Sequence, residues 1–280
     1  MYGEFKNKYK YVDFTSTTEA GTLSPWSRIH VDETEQRKQN ANNYNCFTTV
    51  QRYTTPEKQQ REGIHLSPLY FDLDYENNPD VSRQDLIKIV EFFTKELDLF
   101  ETDIRVFFSG SKGFHGLVHP KALGIEPSEH LTRVFKHVAG YLKYRLSEDS
   151  NGLQSVDFAV YTNPRMLRLV NSVHHKTRLF KVELTLDELR KPLEEIQKLA
   201  SVPRPVLYTD EQWEKAVEIR PRAAEFFKDK FNEYLEARQT AESTYNDEYN
   251  FTGEPPVCVS DILQNGWKKD GDRNQATGQL

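Results

Sequence analysis

The chain has 280 residues, long enough for a full hydrophobic core as one large domain or as a domain with an appendage. Its 43 acidic and 37 basic residues leave a formal net charge of −6, which speaks against a protein that simply coats nucleic acid. No apolar run approaches the roughly 18 residues of a membrane span, the start MYGEFKNKYKYVDF lacks a secretory apolar stretch, and the two cysteines, Cys46 and Cys258, make neither a disulfide framework nor a four-ligand zinc site; a soluble cytoplasmic protein is expected.

The first forty residues are polar without a clear period, and ETEQRKQNANN reads as loop or weak helix. YNCFTTVQRY has the Thr, Val and aromatic content of a strand. In LYFDLDYEN, side chains alternating along a strand put Leu69, Phe71, Leu73 and Tyr75 on one face and Tyr70, Asp72, Asp74 and Glu76 on the other. Ser82 followed by Asp85 resembles a capping box, opening a helix with Leu86, Ile89, Val90, Phe93 and Leu97 at helical spacing. DIRVFFSG is a strand, SGSKG a tight turn and FHGLVH a returning strand. Ser128 opens a second helix, with Leu131, Val134, Phe135, Val138 and Leu142 on one side, and VDFAVY, RMLRLV and RLFKVEL follow as short strands. Beyond residue 183 charged helices take over: Thr185 with Glu188 forms another capping box, SVPRPVLYTD is a Pro-rich connector, and EQWEKAVEI and RAAEFFKDKFNEYLEAR are helical, interrupted at Pro221. ESTYNDEYNFTGEPP reads as a polar linker, and a short last segment begins at Val257.

From Leu69 to Val160 the order is strand, helix, strand, strand, helix, strand, the split βαβ pattern of ferredoxin-like and RNA-recognition folds. The expected class is therefore α+β: an RNA-recognition/ferredoxin-like antiparallel sheet core, flanking helices and a helical carboxyl-terminal extension. In that topology the first and third strands are the central pair and the fourth flanks the first. Asp72 and Asp74 then sit beside His115 on one side and near Asp157 on the other.

Asp72 and Asp74 lie about 7 Å apart on one face, where like charges repel unless a cation sits between them. Mg²⁺ and Mn²⁺ take oxygen ligands, and a pair of them about 3.5–4 Å apart can activate an attacking oxygen and stabilise a leaving one. Asp-x-Asp alone is a weak motif, used also by glycosyltransferases, and an edge strand showing acids to water has the same pattern. In SGSKGFHG, Gly110 and Gly113 permit a tight backbone approach whose N–H groups form a phosphate nest. Ser109 and Ser111 add donors, Lys112 a point charge, and His115 reaches the same anion; an ordinary hairpin turn is the plainer reading. Asp157 is an acid in an otherwise apolar strand, and Arg168, Ser172, His174 and Lys176 follow as a phosphate-binding set. They fall in the stretch from Arg165 to Lys181, which contains no acid.

LYFDLDYEN, FFSGSKGFHGLV and VDFAVYTNPRMLRLVNSVHHKT together resemble the three catalytic motifs of the archaeo-eukaryotic primase (primase-polymerase) superfamily, over about residues 44–184. The resemblance implies that Asp72, Asp74 and Asp157 bind two catalytic metals, Mg²⁺ or Mn²⁺. It implies that Gly113, Phe114 and His115 form the motif whose histidine holds the incoming nucleoside triphosphate, and that Arg168, Ser172, His174 and Lys176 serve the third motif. Val170-Asn171 stands where many members have Pro-Gly, and the zinc-binding cysteines of several members are missing. CFTTVQRY and the helical extension resemble the single-chain branch, such as CRISPR-associated or mobile-element primase-polymerases.

The expected organisation is a catalytic domain over 1–184, a helical extension over 185–250, and a linker with the cut start of a second helical domain over 251–280. PPVCVSDILQNGWKKDGDRN resembles the opening of the helical domain that accompanies primase catalytic domains, with Cys258 where an iron–sulfur ligand would stand; one thiolate cannot hold a cluster. The expected activity is template-dependent nucleotidyl transfer, making or extending primers. Its partners would be single-stranded DNA template, primer, NTP or dNTP, with a missing helical domain, a helicase or CRISPR adaptation proteins beside it and no membrane. Two rivals are an end-joining or repair polymerase that only extends ends, and a non-catalytic RNA-recognition-like module, which usually places aromatics rather than aspartates on its central strand.

Overall fold

A computed structural model describes Phe5 and residues 8–18, 22–57, 63–76, 78–146 and 152–248. The chain forms two compact units, Met1–Tyr234 and Leu235–Leu280. The linker and second-domain expectations beyond residue 248 lie outside the described residues. None of the described helices is long and apolar enough to cross a membrane.

The larger unit is α+β, with two four-stranded antiparallel sheets. The sheet foreseen from the motifs contains β4 (Leu69–Asp74), β5 (Ile104–Phe108), β6 (Gly113–Val118) and β8 (Val182–Leu184), in the order β4-β6-β5-β8. As expected, β4 and the third strand of the motif series, β6, are neighbours, with Asp72 opposite His115 and Asp74 opposite Gly113. Alternation sends Leu69, Phe71 and Leu73 into the core, all at 1% exposure or less. They share that core with Leu86, Ile89 and Val90 of α2 (Pro79–Glu91) and Val134, Phe135, Val138 and Leu142 of α3 (Leu131–Arg145). Each such fully buried side chain contributes roughly 1.5–3 kcal/mol. Tyr75, placed by period on the apolar face, lies past the strand end and is exposed.

The other sheet was not foreseen. β1 (Tyr11–Ser16) and β2 (Ser27–His30) come from the segment read as aperiodic and pair with β3 (Cys46–Thr49) and β7 (Met166–Arg168), in the order β2-β1-β3-β7. α1 (Thr34–Asn40) lies in the stretch read as loop or weak helix. The inward polar side chains of β1 hide the period: Asp13 and Thr15 are buried, Asp13 taking a two-pronged bond from Arg28.

Three local readings change. VDFAVY makes one bridge, Val156 to Leu73, and then turns into a 3₁₀ turn, Phe158–Val160. Asp157 causes this by accepting the Ala159 N–H at 2.8 Å, a local cap that competes with ladder pairing. The segment still flanks β4, since Asp157 N–H donates to the Asp72 carbonyl at 3.0 Å. Ser82 does not open α2; Asn78 accepts the Asp80 N–H there, with Pro79 in the first turn. Asp85 instead is buried and accepts from Gln154 N–H, Ser155 N–H and Ser155 Oγ, which pins the run leading to Asp157.

The Thr185 capping box opens α4 (Leu186–Leu189) as expected, and α5 (Leu193–Leu199) and α6 (Asp210–Ala216) follow. Pro221 begins rather than interrupts α7 (Pro221–Glu248), which also runs through the first part of the expected linker. Leu186, Leu189, Ile196, Ala223 and Phe227 belong to the main core, so residues 185–234 are part of the larger compact unit. The Arg105 guanidinium, bonded at 2.6 and 3.0 Å to Glu183 and at 3.3 Å to Asp210, ties α6 to the sheet.

Candidate active site

A cleft of about 220 Å³ opens between the two sheets. β4, β6 and the turn before β6 supply Asp72, Asp74, Ser109, Ser111, Lys112, Gly113 and His115; β3, β7 and the segments flanking β7 supply Phe47, Arg165, Met166, Leu167, Arg168 and His174. Nine of the twelve residues singled out in the sequence therefore line one cavity. Asp157, Ser172 and Lys176 are not among its walls.

The acidic side is held by cross-strand register. Asp72 Oδ1 lies 3.5 Å from His115 Nε2, and Asp72 Oδ2 accepts from Arg165 Nη2 at 2.7 Å. Lys112 Nζ stands 3.4 Å from Asp74 Oδ2. Burial raises the Asp74 carboxyl above its usual range; Lys112 opposes the rise, and the charges of Asp72 and Asp157 add to it. The three acids thus sense one another although only two face the cleft.

The turn before β6 is shaped by contacts a side chain would break. Gly110 has φ +85°, with a Cβ there meeting the Leu179 carbonyl oxygen at 3.0 Å. Its own carbonyl accepts from Thr177 Oγ1 of the third motif. Ser109 Oγ accepts the Gly113 N–H at 3.2 Å, so this hydroxyl is used inside the turn.

The imidazole of His115 is buried and sits well below the ordinary histidine pKa because of that burial, with Lys181, Arg165 and Arg168 pushing the same way. It is neutral at pH 7, and its buried Nδ1 has no hydrogen-bond partner among the described residues. His174 is lowered to about 4, by burial first and then by Arg168, His175 and Lys176. Its Nδ1 accepts the backbone N–H groups of Lys176 and Thr177 at 3.3 and 3.2 Å, which leaves the proton on Nε2. Arg168 is lowered to about 10 by burial and so remains charged at neutral pH. It lies over the Phe47 ring at 4.8 Å and donates to Asn45 Oδ1.

Ser172 is fully buried, and its Oγ accepts the Cys46 N–H at 2.6 Å, fastening the third motif to β3. Lys176 is exposed outside the cleft walls. Sequence reasoning missed Phe47 and Met166 in the wall, and took Arg165 and Lys181 only as members of the basic stretch; Arg165 lines the wall and Lys181 lies behind it. Lys181 is buried over the Phe107 ring at 4.6 Å, has no carboxylate within ion-pairing distance among the described residues, and is lowered to about 7 by burial. Its signal was the period-two relation to Glu183, which register places in one row with Phe107, His115 and Asp72.

Among the described residues no group of three or more His, Cys, Asp or Glu side chains is arranged to hold a metal ion by itself. Two adjacent carboxylates are nonetheless the donor set that Mg²⁺ takes when waters and substrate phosphates complete its shell. Asp72 and Asp74 fit a hard cation in that substrate-completed way, with Asp157 one hydrogen bond along the backbone.

No protein-family model matches the chain, and no curated protein matches it. Solved structures similar to it include the polymerase domain of Mycobacterium tuberculosis ligase D in complex with DNA, at TM-score 0.43 and 15% identity, over 69% of this chain and 80% of that one. The catalytic domain of primase RepB′ in complex with initiator DNA is similar at TM-score 0.41 and 11% identity, over 85% of this chain and 95% of that one. A second RepB′ primase structure is similar at TM-score 0.41 and 12% identity, over 88% of this chain and 67% of that one.

Proposed function

We propose that the chain is a template-directed nucleotidyltransferase, a DNA primase-polymerase that joins a nucleoside triphosphate to a 3′-hydroxyl and releases pyrophosphate. The observation that carries this reading is one cleft in which Asp72 and Asp74 stand against Lys112, Arg165 and Arg168, with a neutral His115 between the acidic and basic sides. Such a cleft offers oxygen ligands on one wall with Lys112 beside them, and guanidinium donors on the other, as phosphoryl transfer requires.

Divalent cations, Mg²⁺ or Mn²⁺, held by Asp72 and Asp74 with Asp157 as a further ligand, would supply the charge that activates the 3′-hydroxyl and steadies the leaving pyrophosphate. Lys112 and Arg168 bind phosphate oxygens as fixed cations. The N–H of neutral His115 and the Nε2–H of His174 donate without adding charge. Gly113 lets the backbone approach the phosphates, and Phe47 and Met166 form an apolar wall that excludes water from the reacting centre. Single-stranded DNA serves as template, with a primer end or a second nucleotide supplying the attacking hydroxyl.

The test is incorporation of labelled NTP and dNTP on primed and unprimed single-stranded templates, with Mg²⁺ and with Mn²⁺. Incorporation that follows the template and is lost in Asp74→Asn supports the reading. Metal-independent DNA binding with no incorporation under any of these conditions would replace it with a binding module.

A further inference from the structure

Arg165 is held at its backbone by the sheet opposite Asp72. Its N–H donates to Gln51 Oε1 at 2.9 Å, and its carbonyl accepts the Val50 N–H at 2.9 Å. From that anchor the side chain crosses the cleft and gives Asp72 Oδ2 one bond, Nη2 at 2.7 Å. Among the described residues its buried Nε has no partner, and Asp72 Oδ1 faces His115 instead.

The Arg–carboxylate pairs whose acids are Asp13, Glu183 and Asp103, all buried, are built differently. Arg28 grips Asp13 through Nε and Nη2 at 2.9 and 3.1 Å, Arg105 grips Glu183 at 2.6 and 3.0 Å, and Arg220 grips Asp103 at 2.7 and 3.2 Å. Those are two-pronged forks, the strong and geometrically specific form of this contact. The Arg165 contact uses one prong and leaves a buried donor unused, beside the carboxylate that the proposed reaction needs as a cation ligand. An arginine serving only to fasten the two sheets would use the fork. A buried donor left unpaired on a cleft-lining side chain can take a second acceptor once that side chain turns.

We propose that Arg165 is an exchangeable counter-cation: it neutralises Asp72 while the cleft is empty, and passes to a substrate phosphate when Asp72 takes up a divalent cation. This rests on the proposed nucleotidyl-transfer function. Asp72 thereby exchanges one positive partner for another and is never left as a bare, partly buried charge, which would be costly. The freed guanidinium gains phosphate oxygens, to which it can present the Nε and Nη2 fork that Asp72 does not receive. Divalent-cation binding without nucleotide must then displace Arg165. Ion and triphosphate become positively coupled, and such couplings are typically about 5–150-fold.

The experiment measures Mn²⁺ alone binding to the full chain, from the free-ion electron paramagnetic resonance signal, with no nucleotide present. Wild type, R165Q, R165K and D72N are compared after thermal melts establish that each is folded. The expected result is about tenfold tighter Mn²⁺ binding in R165Q, affinity near wild type in R165K, and loss of the site in D72N. Equal affinities in wild type and R165Q, with the site still lost in D72N, overturn the exchange while leaving the proposed function standing. Mn²⁺ binding that D72N leaves untouched overturns both the exchange and the assignment of Asp72 as a ligand. Should R165Q fail to fold, R165M takes its place with the same expectation: about tenfold tighter Mn²⁺ binding than wild type supports the exchange, and unchanged or weaker binding refutes it.

Discussion

Asp74 and Gly113 are direct cross-strand partners, and the Cβ that Gly113 lacks would stand 2.8 Å from the Leu73 carbonyl oxygen. That oxygen is strand backbone and cannot swing aside. Gly113→Ala must therefore push β4 from β6 at the point where both carry site residues. We expect a loss of about 1–3 kcal/mol in urea denaturation, together with weaker binding of a fluorescent nucleotide. A variant with wild-type stability would show that the turn yields freely.

Asp72 and Asp74 should part company in stability while agreeing in activity. Asp74 is partly exposed and its charged form is disfavoured by burial and by neighbouring acids, so Asp74→Asn should leave the melting temperature unchanged or raise it. Asp72→Asn strips Arg165 and His115 of their carboxylate, at a cost of about 1–2 kcal/mol. Both should abolish nucleotide incorporation. Full activity in Asp74→Asn would reject its role as a metal ligand.

Arg168 lines the cleft and Lys176 does not, which separates two cations that look alike in the motif. Arg168→Ala should lower nucleotide affinity roughly tenfold or more, the worth of a charge-assisted bond, whereas Lys176→Ala should change it much less. His115→Ala should act mainly on KM. Titrations of labelled NTP against each variant decide the order, and equal losses for Arg168 and Lys176 would contradict it.

Ser172 is a fastening in this structure. Ser172→Ala leaves the buried Cys46 N–H without its acceptor and should cost about 1–3 kcal/mol. The nucleotide affinity of the folded variant should fall less than in Arg168→Ala. A stable variant that binds nucleotide poorly would restore Ser172 to the binding set.

Lys181 imposes a pH dependence. With its ammonium lowered to about 7 in the fold against an ordinary value of 10.5, the unfolded chain binds more protons between those limits. Stability therefore rises with pH in that window: the cost of the buried charge is full below about pH 7 and fades above it. Wild-type stability should gain on Lys181→Met between about pH 7 and about pH 9, with the variant the more stable at pH 6. Parallel pH profiles in urea would refute this.

The alternation in LYFDLD already determined that Asp72 and Asp74 share a face, because side-chain direction along a strand is a local property with period two. The order of elements from Leu69 to Val160 determined that His115 would stand beside Asp72, since split βαβ connections leave few arrangements. Neither signal reaches the opposite wall. β3 and β7 pair Phe47 with Arg168 across more than a hundred residues, and strands of three or four residues are too short to display a period. That non-local pairing brought Arg165 onto Asp72 and turned Ser172 inward to Cys46. Asp157 shows the reverse case, where a helix-capping bond within two residues overrode the strand that its neighbours suggested. The tertiary structure decided which of the charges in one basic segment face the acids, because facing depends on how two sheets meet.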